Sequence, residues 1–245
     1  MTKILSYLML ALAMVVPVSG VSAQDKAPAF TAAPSVQRNP NARVPLAAVL
    51  SFSADRKVAT SVEISDGSRI WEILFDDSRD PLGGLPLLGL RPNRQHRIHV
   101  SIRDAAGRTT RAPGVIEYTT PPLPAGVYDF PPITVVKSEP ARMEPGFTLL
   151  SVRRYVPGKI QAQTQAQRRF SEQWGMIVAL DAEGEVVWYY QEDARIAGID
   201  RLKNGNLFYL LTDSRSVEID PLGNKVSEIY AAKRPQGPVK GAIPI

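Results

Sequence analysis

One pattern occurs twice in the chain, 39 residues apart, and it limits the fold more than any other feature. Ala179-Leu180-Asp181-Ala182-Glu183-Gly184-Glu185-Val186-Val187-Trp188-Tyr189-Tyr190 and Glu218-Ile219-Asp220-Pro221-Leu222-Gly223-Asn224-Lys225-Val226-Ser227-Glu228-Ile229-Tyr230 each read as an apolar strand, an Asp-x-x-Gly turn and a second strand. The turn has a mechanism. Asp at the first position accepts from the turn amides, Gly at the fourth takes the positive φ of a hairpin bulge, and Pro221 pre-sets φ at the second. A further strand precedes each hairpin, over Gly146–Leu150 and Gly205–Leu211. Four short strands recurring at about 40 residues are the signature of a β-propeller blade. A ring needs about four to eight blades, at least roughly 160 residues at this period. Residues 143–245 supply 103, so the expectation is the first two or so blades of a truncated propeller, or a ring that several copies complete.

Upstream, 21 prolines and many Asp, Asn and Gly turns argue against a helical protein. Pro45–Phe52, Ala59–Ile64, Arg69–Phe75 and Val115–Thr119 read as short strands. Along the run that spans Gly89–Ile102, alternation puts His96, Ile98, Val100 and Ile102 on one face and Arg97, His99, Ser101 and Arg103 on the other. A β-sandwich is therefore expected over residues 41–120. The spacing Leu90-x-Pro92-x-x-x-His96-x-Ile98-x-Val100 resembles a fibronectin type III domain, with His96 where a corner tyrosine usually stands. A histidine there is able to offer a similar hydrogen bond. Residues 24–40 are polar and read as a flexible leader. Residues 121–142 hold Pro121-Pro122, Pro124 and Pro131-Pro132 and read as a semi-rigid connector. The Gln-rich stretch Gly158–Trp174 reads as an insertion, a solvated loop or short helix. The expected fold class is all-β: a fibronectin III-like β-sandwich followed by the first blades of an incomplete β-propeller.

The first 23 residues have Lys3, an apolar run of about 13 and the small residues Val21-Ser22-Ala23. This predicts a signal peptide cleaved after Ala23, placing the chain in the periplasm or outside the cell, with no membrane contact after cleavage. The chain has no cysteine, so packed cores must stabilise it in that compartment. After Ala23 remain 28 basic and 24 acidic residues, scattered, with no aromatic–basic interleaving of the kind nucleic acid needs. Arg153-Arg154 and Arg168-Arg169 read as solvated positions, and Asp76-Asp77 and Glu192-Asp193 as turns. There is no nucleophile elbow, phosphate loop or zinc spacing.

The signal, the sandwich and a propeller opening on Met143-Glu144-Pro145-Gly146-Phe147-Thr148-Leu149 are together similar to the bacterial arylsulfate sulfotransferases. So are Gly89-Leu90-Arg91-Pro92, Leu123-Pro124, the stretch 178–190 and Leu202-Lys203-Asn204-Gly205-Asn206-Leu207. The resemblance implies transfer of a sulfuryl group from an aryl sulfate donor to a phenolic acceptor without a nucleotide donor or a cofactor. A propeller histidine takes the group, and further histidines and an arginine hold its oxygens. None of those residues carries over. The two histidines of this chain, His96 and His99, stand in a sandwich strand, and no motif assigns Arg195, Arg201 or Arg215. No catalytic, cofactor-binding or metal-ligating residue is assigned, and the chain alone is expected to be inactive, with homo-oligomerisation open. Two other readings remain. One is a quinoprotein-like propeller oxidoreductase fragment, because Ala179-x-Asp181-x-x-Gly184-x-x-x-Trp188 approaches a tryptophan-docking repeat, although Glu228 is expected at the matching place of the second copy. The other is a non-enzymatic secreted binding module.

Overall fold

The computed structural model describes residues 26–245 apart from Pro157 and Lys159. The signal expected over residues 1–23 lies outside the described residues. The described chain is mostly β, with four sheets and one short α-helix.

Two sheets make the N-terminal region. Strands β1 (Phe30–Arg38), β2 (Ala48–Ala54) and β5 (Leu85–Leu87) form one, in the order β1-β2-β5. The second has β3 (Ala59–Ser65), β4 (Ile70–Phe75), β6 (Gln95–Arg103) and β7 (Thr109–Arg111) in the order β4-β3-β6-β7, with β8 (Ile116–Thr119) also paired to β6. Side chains alternate along each strand, so each sheet offers one apolar face. Leu50 and Phe52 of β2 and Leu85 and Leu87 of β5 meet Val62, Ile64, Ile98, Val100 and Ile102 in a single core. The alternation read for β6 holds: His96, Ile98, Val100 and Ile102 are buried, whereas His99 is on the other, partly exposed face.

Residues 24–40 are not simply a leader, since β1 pairs antiparallel with β2. Its signal is faint because it is an edge strand that buries little. Phe30, Pro34 and Val36 are half-buried, and Phe30 meets Phe52 edge-on with centroids 5.2 Å apart. Pro34, which lacks an amide donor, falls inside a register irregularity, where a ladder tolerates it.

The second region has two further sheets. Strands β9 (Thr148–Val152), β10 (Gly175–Leu180) and β11 (Val186–Glu192) take the order β11-β10-β9. Strands β12 (Ile196–Arg201), β13 (Leu207–Leu211), β14 (Arg215–Ile219) and β15 (Lys225–Tyr230) follow in sequence order, and β16 (Ile243–Pro244) adds to β15 in parallel. Between β9 and β10 lies α1 (Gln165–Glu172), opened by a reciprocal capping box of Thr164 and Gln167.

Both Asp-x-x-Gly turns form as their sequence dictates. Asp181 Oδ1 accepts from the amides of Glu183 (3.1 Å) and Glu185 (2.9 Å), and Asp220 Oδ1 from those of Leu222 and Asn224 (both 2.9 Å). Gly184 and Gly223 both take φ of 83°, and the register slips next to each turn, as a bulge requires.

The two regions interlock. Between the last two sheets, Ile177, Trp188, Tyr190, Tyr209, Val217 and Ile219 form a core that the β1–β2 loop enters with Val44 and Ala47. Leu46 of the same loop joins Trp174, Met176, Val178 and Tyr189 on the far side of β10. The amide of Asn39 spans the join, donating to Val44 O (3.0 Å) and to Leu222 O (2.9 Å) in the second turn. The proline-rich connector lies against the β10–β11 hairpin. Phe130 enters the Tyr189 core, and the Ser138 hydroxyl donates to Ala182 O. Among the described residues no helix is long and apolar enough to cross a membrane.

Candidate functional site

The polar groups of the second region converge where the ends of β11, β14 and β15 meet the β1–β2 loop. A cleft of about 430 Å³ opens there, lined by Asn41, Arg43, Tyr190, Glu192, Arg215 and Lys225 among others. Alternation on β11 puts Tyr190 and Glu192 on one face, two residues apart. Tyr209 faces them from β13 and is fully buried.

Glu192 organises the floor. Its Oε2 accepts from the hydroxyls of Tyr209 (2.7 Å) and Tyr190 (3.1 Å), and its Oε1 from Arg43 Nη1 (3.0 Å) and the Asp193 amide (2.8 Å). Burial pushes this carboxyl up, but the donors from Tyr209, the Asp193 amide and Arg43 more than offset it and hold the group below its ordinary value. The phenols respond in the opposite sense. Tyr190 is pushed up to about 12 by burial and by the Glu192 charge, and Tyr209 is raised by the same two causes. Both hydroxyls therefore stay protonated at neutral pH and act as donors. With four donors on its two oxygens, Glu192 holds the strands together and has little capacity left for attack or proton transfer.

The cations at the mouth are matched. Arg215 sits 2.7 Å from Asp213 and 2.9 Å from Glu228, Lys225 also pairs with Glu228, and Arg43 is 2.5 Å from Asp193. An anion entering the cleft would have to compete with carboxylates already in place. Among the described residues no group of three or more His, Asp or Glu is arranged to hold a metal ion.

Other residues singled out from sequence are scattered. His96 is 0 % exposed, inside the N-terminal core, and neither ring nitrogen has a hydrogen-bond partner, so the corner bond a histidine offers there is not made. Arg215 lines the cleft, whereas Arg195 donates to Ser171 in the last turn of α1 (2.5 Å) and Arg201 is exposed at the end of β12. Arg154 is not merely solvated: it lies over the rings of Phe170 (4.7 Å) and Trp174 (4.8 Å). Trp188 is buried and donates through Nε1 to Pro221 O (2.9 Å) in the second turn. The strand register pairs Trp188 with Ala179 and Ser227 with Glu218, so Ser227 rather than Glu228 stands at the matching place. Glu192 was expected as a turn residue. Its spacing from Tyr190 on an alternating strand was the signal that it faces inward.

Against known proteins, the arylsulfotransferase (ASST) family model matches residues 132–235, beginning within the proline-rich segment and running past β15. No curated protein matches the chain. Residues 132–235, which hold both Asp-x-x-Gly hairpins and most of the cleft lining, are thus a domain of the arylsulfotransferase (ASST) family.

Proposed function

We propose that this chain is part of an aryl-sulfate sulfotransferase, acting in the periplasm or outside the cell, that moves a sulfuryl group between phenols without a nucleotide donor. The ASST domain over residues 132–235 is the observation that carries the reading. The sheets β9–β11 and β12–β15 are then the first two blades of a propeller, and Phe30–Thr119 is a fibronectin III-like sandwich in front of them. The 39-residue spacing, the shared turn geometry and the Trp188 bond to the next repeat support the blade assignment. Against the four strands of a blade, the β9–β11 sheet supplies three, and the β12–β15 sheet supplies four to which β16 is an addition.

By itself the 245-residue chain is catalytically silent on this account. The family reaction, as the resemblance implies, runs through a propeller histidine, and residues 132–235 contain none. Both histidines lie on β6. The cleft offers no substitute nucleophile, because its phenols are held protonated and Glu192 is saturated with donors. The full reaction would take an aryl sulfate as donor and a phenol as acceptor, on blades supplied by a longer product or by further copies.

The test uses source cells. Protein captured with an antibody against residues 26–120 is separated by mass and assayed with 4-nitrophenyl sulfate and phenol. Transfer that follows a species well above the 26.8 kDa of this chain supports the reading. Absence of transfer in every captured species contradicts it.

A further inference from the structure

We propose that His96 is an acid-responsive switch on the joint between the N-terminal region and the ASST domain, so that a proton on its ring loosens the grip of Arg69 and Arg91 on Asp181. Three contacts in series connect the two ends. The imidazole of His96 meets the ring of Trp71 edge-on, centroids 6.0 Å apart at 87°. On the same indole lies the Arg69 guanidinium, 4.3 Å from the ring centroid. Arg69 Nη1 in turn stands 3.3 Å from the Asp181 carboxylate of the β10–β11 turn. Arg91 holds that carboxylate through Nε (2.8 Å) and Nη2 (2.7 Å) and reaches Glu183 at 2.9 Å. The joint is thus built from arginines of one region and acids of the other, with His96 behind it.

The surroundings suit the neutral ring and disfavour the charged one. His96 is enclosed by the apolar face of β6 and its neighbours, and both nitrogens lack partners. The ionisable groups facing it are Asp66 and Arg69 of the β3–β4 turn. Arg94 and Tyr118, the latter its register partner on β8, act on it through their backbones, which favour the charged ring but are outweighed by burial. Asp66 would welcome a cation, but it is already shared by Arg94 (3.5 Å), Arg91 (3.7 Å) and Arg69 (4.0 Å). Arg69 opposes a second cation across Trp71. Burial, aided by Arg69, holds His96 below its ordinary value near 6.5. The closed joint refuses a proton that an opened one accepts. Closure is therefore fully favoured above about pH 6.5 and weakens as pH falls below it.

Amide hydrogen exchange, corrected for intrinsic rates, reads the switch. The amides of Glu183 and Glu185 report the first turn, and those of Leu222 and Asn224 the second. Between pH 7.5 and 5.5 the first pair should lose roughly tenfold protection, the equivalent of one pKa unit, while the second pair holds. His96→Phe, which keeps a ring and removes the titration, should abolish the loss. Equal loss in wild type and variant, or loss at both turns together, overturns the proposal. Should His96→Phe fail to fold, His99→Gln leaves one imidazole to follow by NMR. Its titration must then run in step with the Glu183 amide, and a titration that leaves that amide unchanged overturns the proposal equally.

Discussion

The β10–β11 and β14–β15 hairpins share a turn and differ in almost everything that surrounds it. Both place an aspartate oxygen under two amides and a glycine at φ 83°. In the first copy Asp181 is also the target of Arg69 and Arg91, and the strand after it sends Trp188 and Tyr190 into the core. In the second, Asp220 has its other oxygen on Asn224 Nδ2 (2.9 Å), and Ser227 joins Asn204 and Asn206 around Glu218. Four residues are enough to write the turn. What a hairpin is for is written in the side chains beyond it: the first copy is joined to the N-terminal region through charged side chains, and the second through its turn backbone, with a self-satisfied polar face besides.

The contrast can be broken most sharply at the tryptophan. Trp188→Ala removes a buried indole, its stack on Tyr190 at 6.4 Å and the bond to Pro221, and should cost about 3–5 kcal/mol in a denaturant titration. Ser227→Ala at the matching place should stay within about 0.5 kcal/mol. Comparable losses at the two sites would mean that the copies are not differently embedded.

The aspartates come next. Asp181→Ala strips the turn and deprives the buried Arg91 of its best partner, an expected loss of about 2–4 kcal/mol. Asp220→Ala gives up turn hydrogen bonds alone, about 1 kcal/mol. Raising salt should narrow the gap only slightly, because Asp181 and Arg91 are both shielded from solvent.

A smaller effect separates two glycines. A Cβ at Gly223 would stand 2.5 Å from Val44, a core residue of the β1–β2 loop, whereas one at Gly205 meets nothing within 4 Å. Gly205→Ala should cost about 1 kcal/mol for its left-handed backbone alone. Gly223→Ala should cost about 2 kcal/mol, since the loop must also shift. Thermal unfolding of the pair decides whether the second turn is seated on that loop.

The least dramatic change is in strongly acid solution. Burial pushes the Asp66 carboxyl up, yet bonds from Ser68 and Arg69 and the charge of Arg91 hold it at about 2. Because that lies below its ordinary range, the stabilisation is complete above about pH 4 and disappears as pH falls toward 2. Asp66→Asn should flatten the acid limb of the stability curve over that interval and leave the neutral region level.

Local chemistry was legible in the sequence, and long-range pairing was not. The two turns, the alternation of β6 and the strand preceding each hairpin all follow from short-range rules. β1 was missed because an edge strand with polar outward side chains has no apolar rhythm. β5 was missed because its three residues include Pro86, and β16 because its two residues are defined by the partner they find. The proline-rich segment was read as a semi-rigid connector from its stiffness, and what no local rule showed is that Phe130 packs it into the core of the ASST domain. At the cleft, Tyr190 was visible as a strand residue, but the convergence of Arg43, Glu192 and Tyr209 joins positions up to 166 residues apart, and no local pattern carries it.

The most direct measurement is turnover of 4-nitrophenyl sulfate, with phenol as acceptor, by the purified 245-residue chain shown to be folded. The expected rate is that of buffer alone, because residues 132–235 offer no histidine to take the sulfuryl group. Saturable release of 4-nitrophenol with formation of phenyl sulfate would contradict the account, and would mean that a group in this chain other than a propeller histidine does the chemistry.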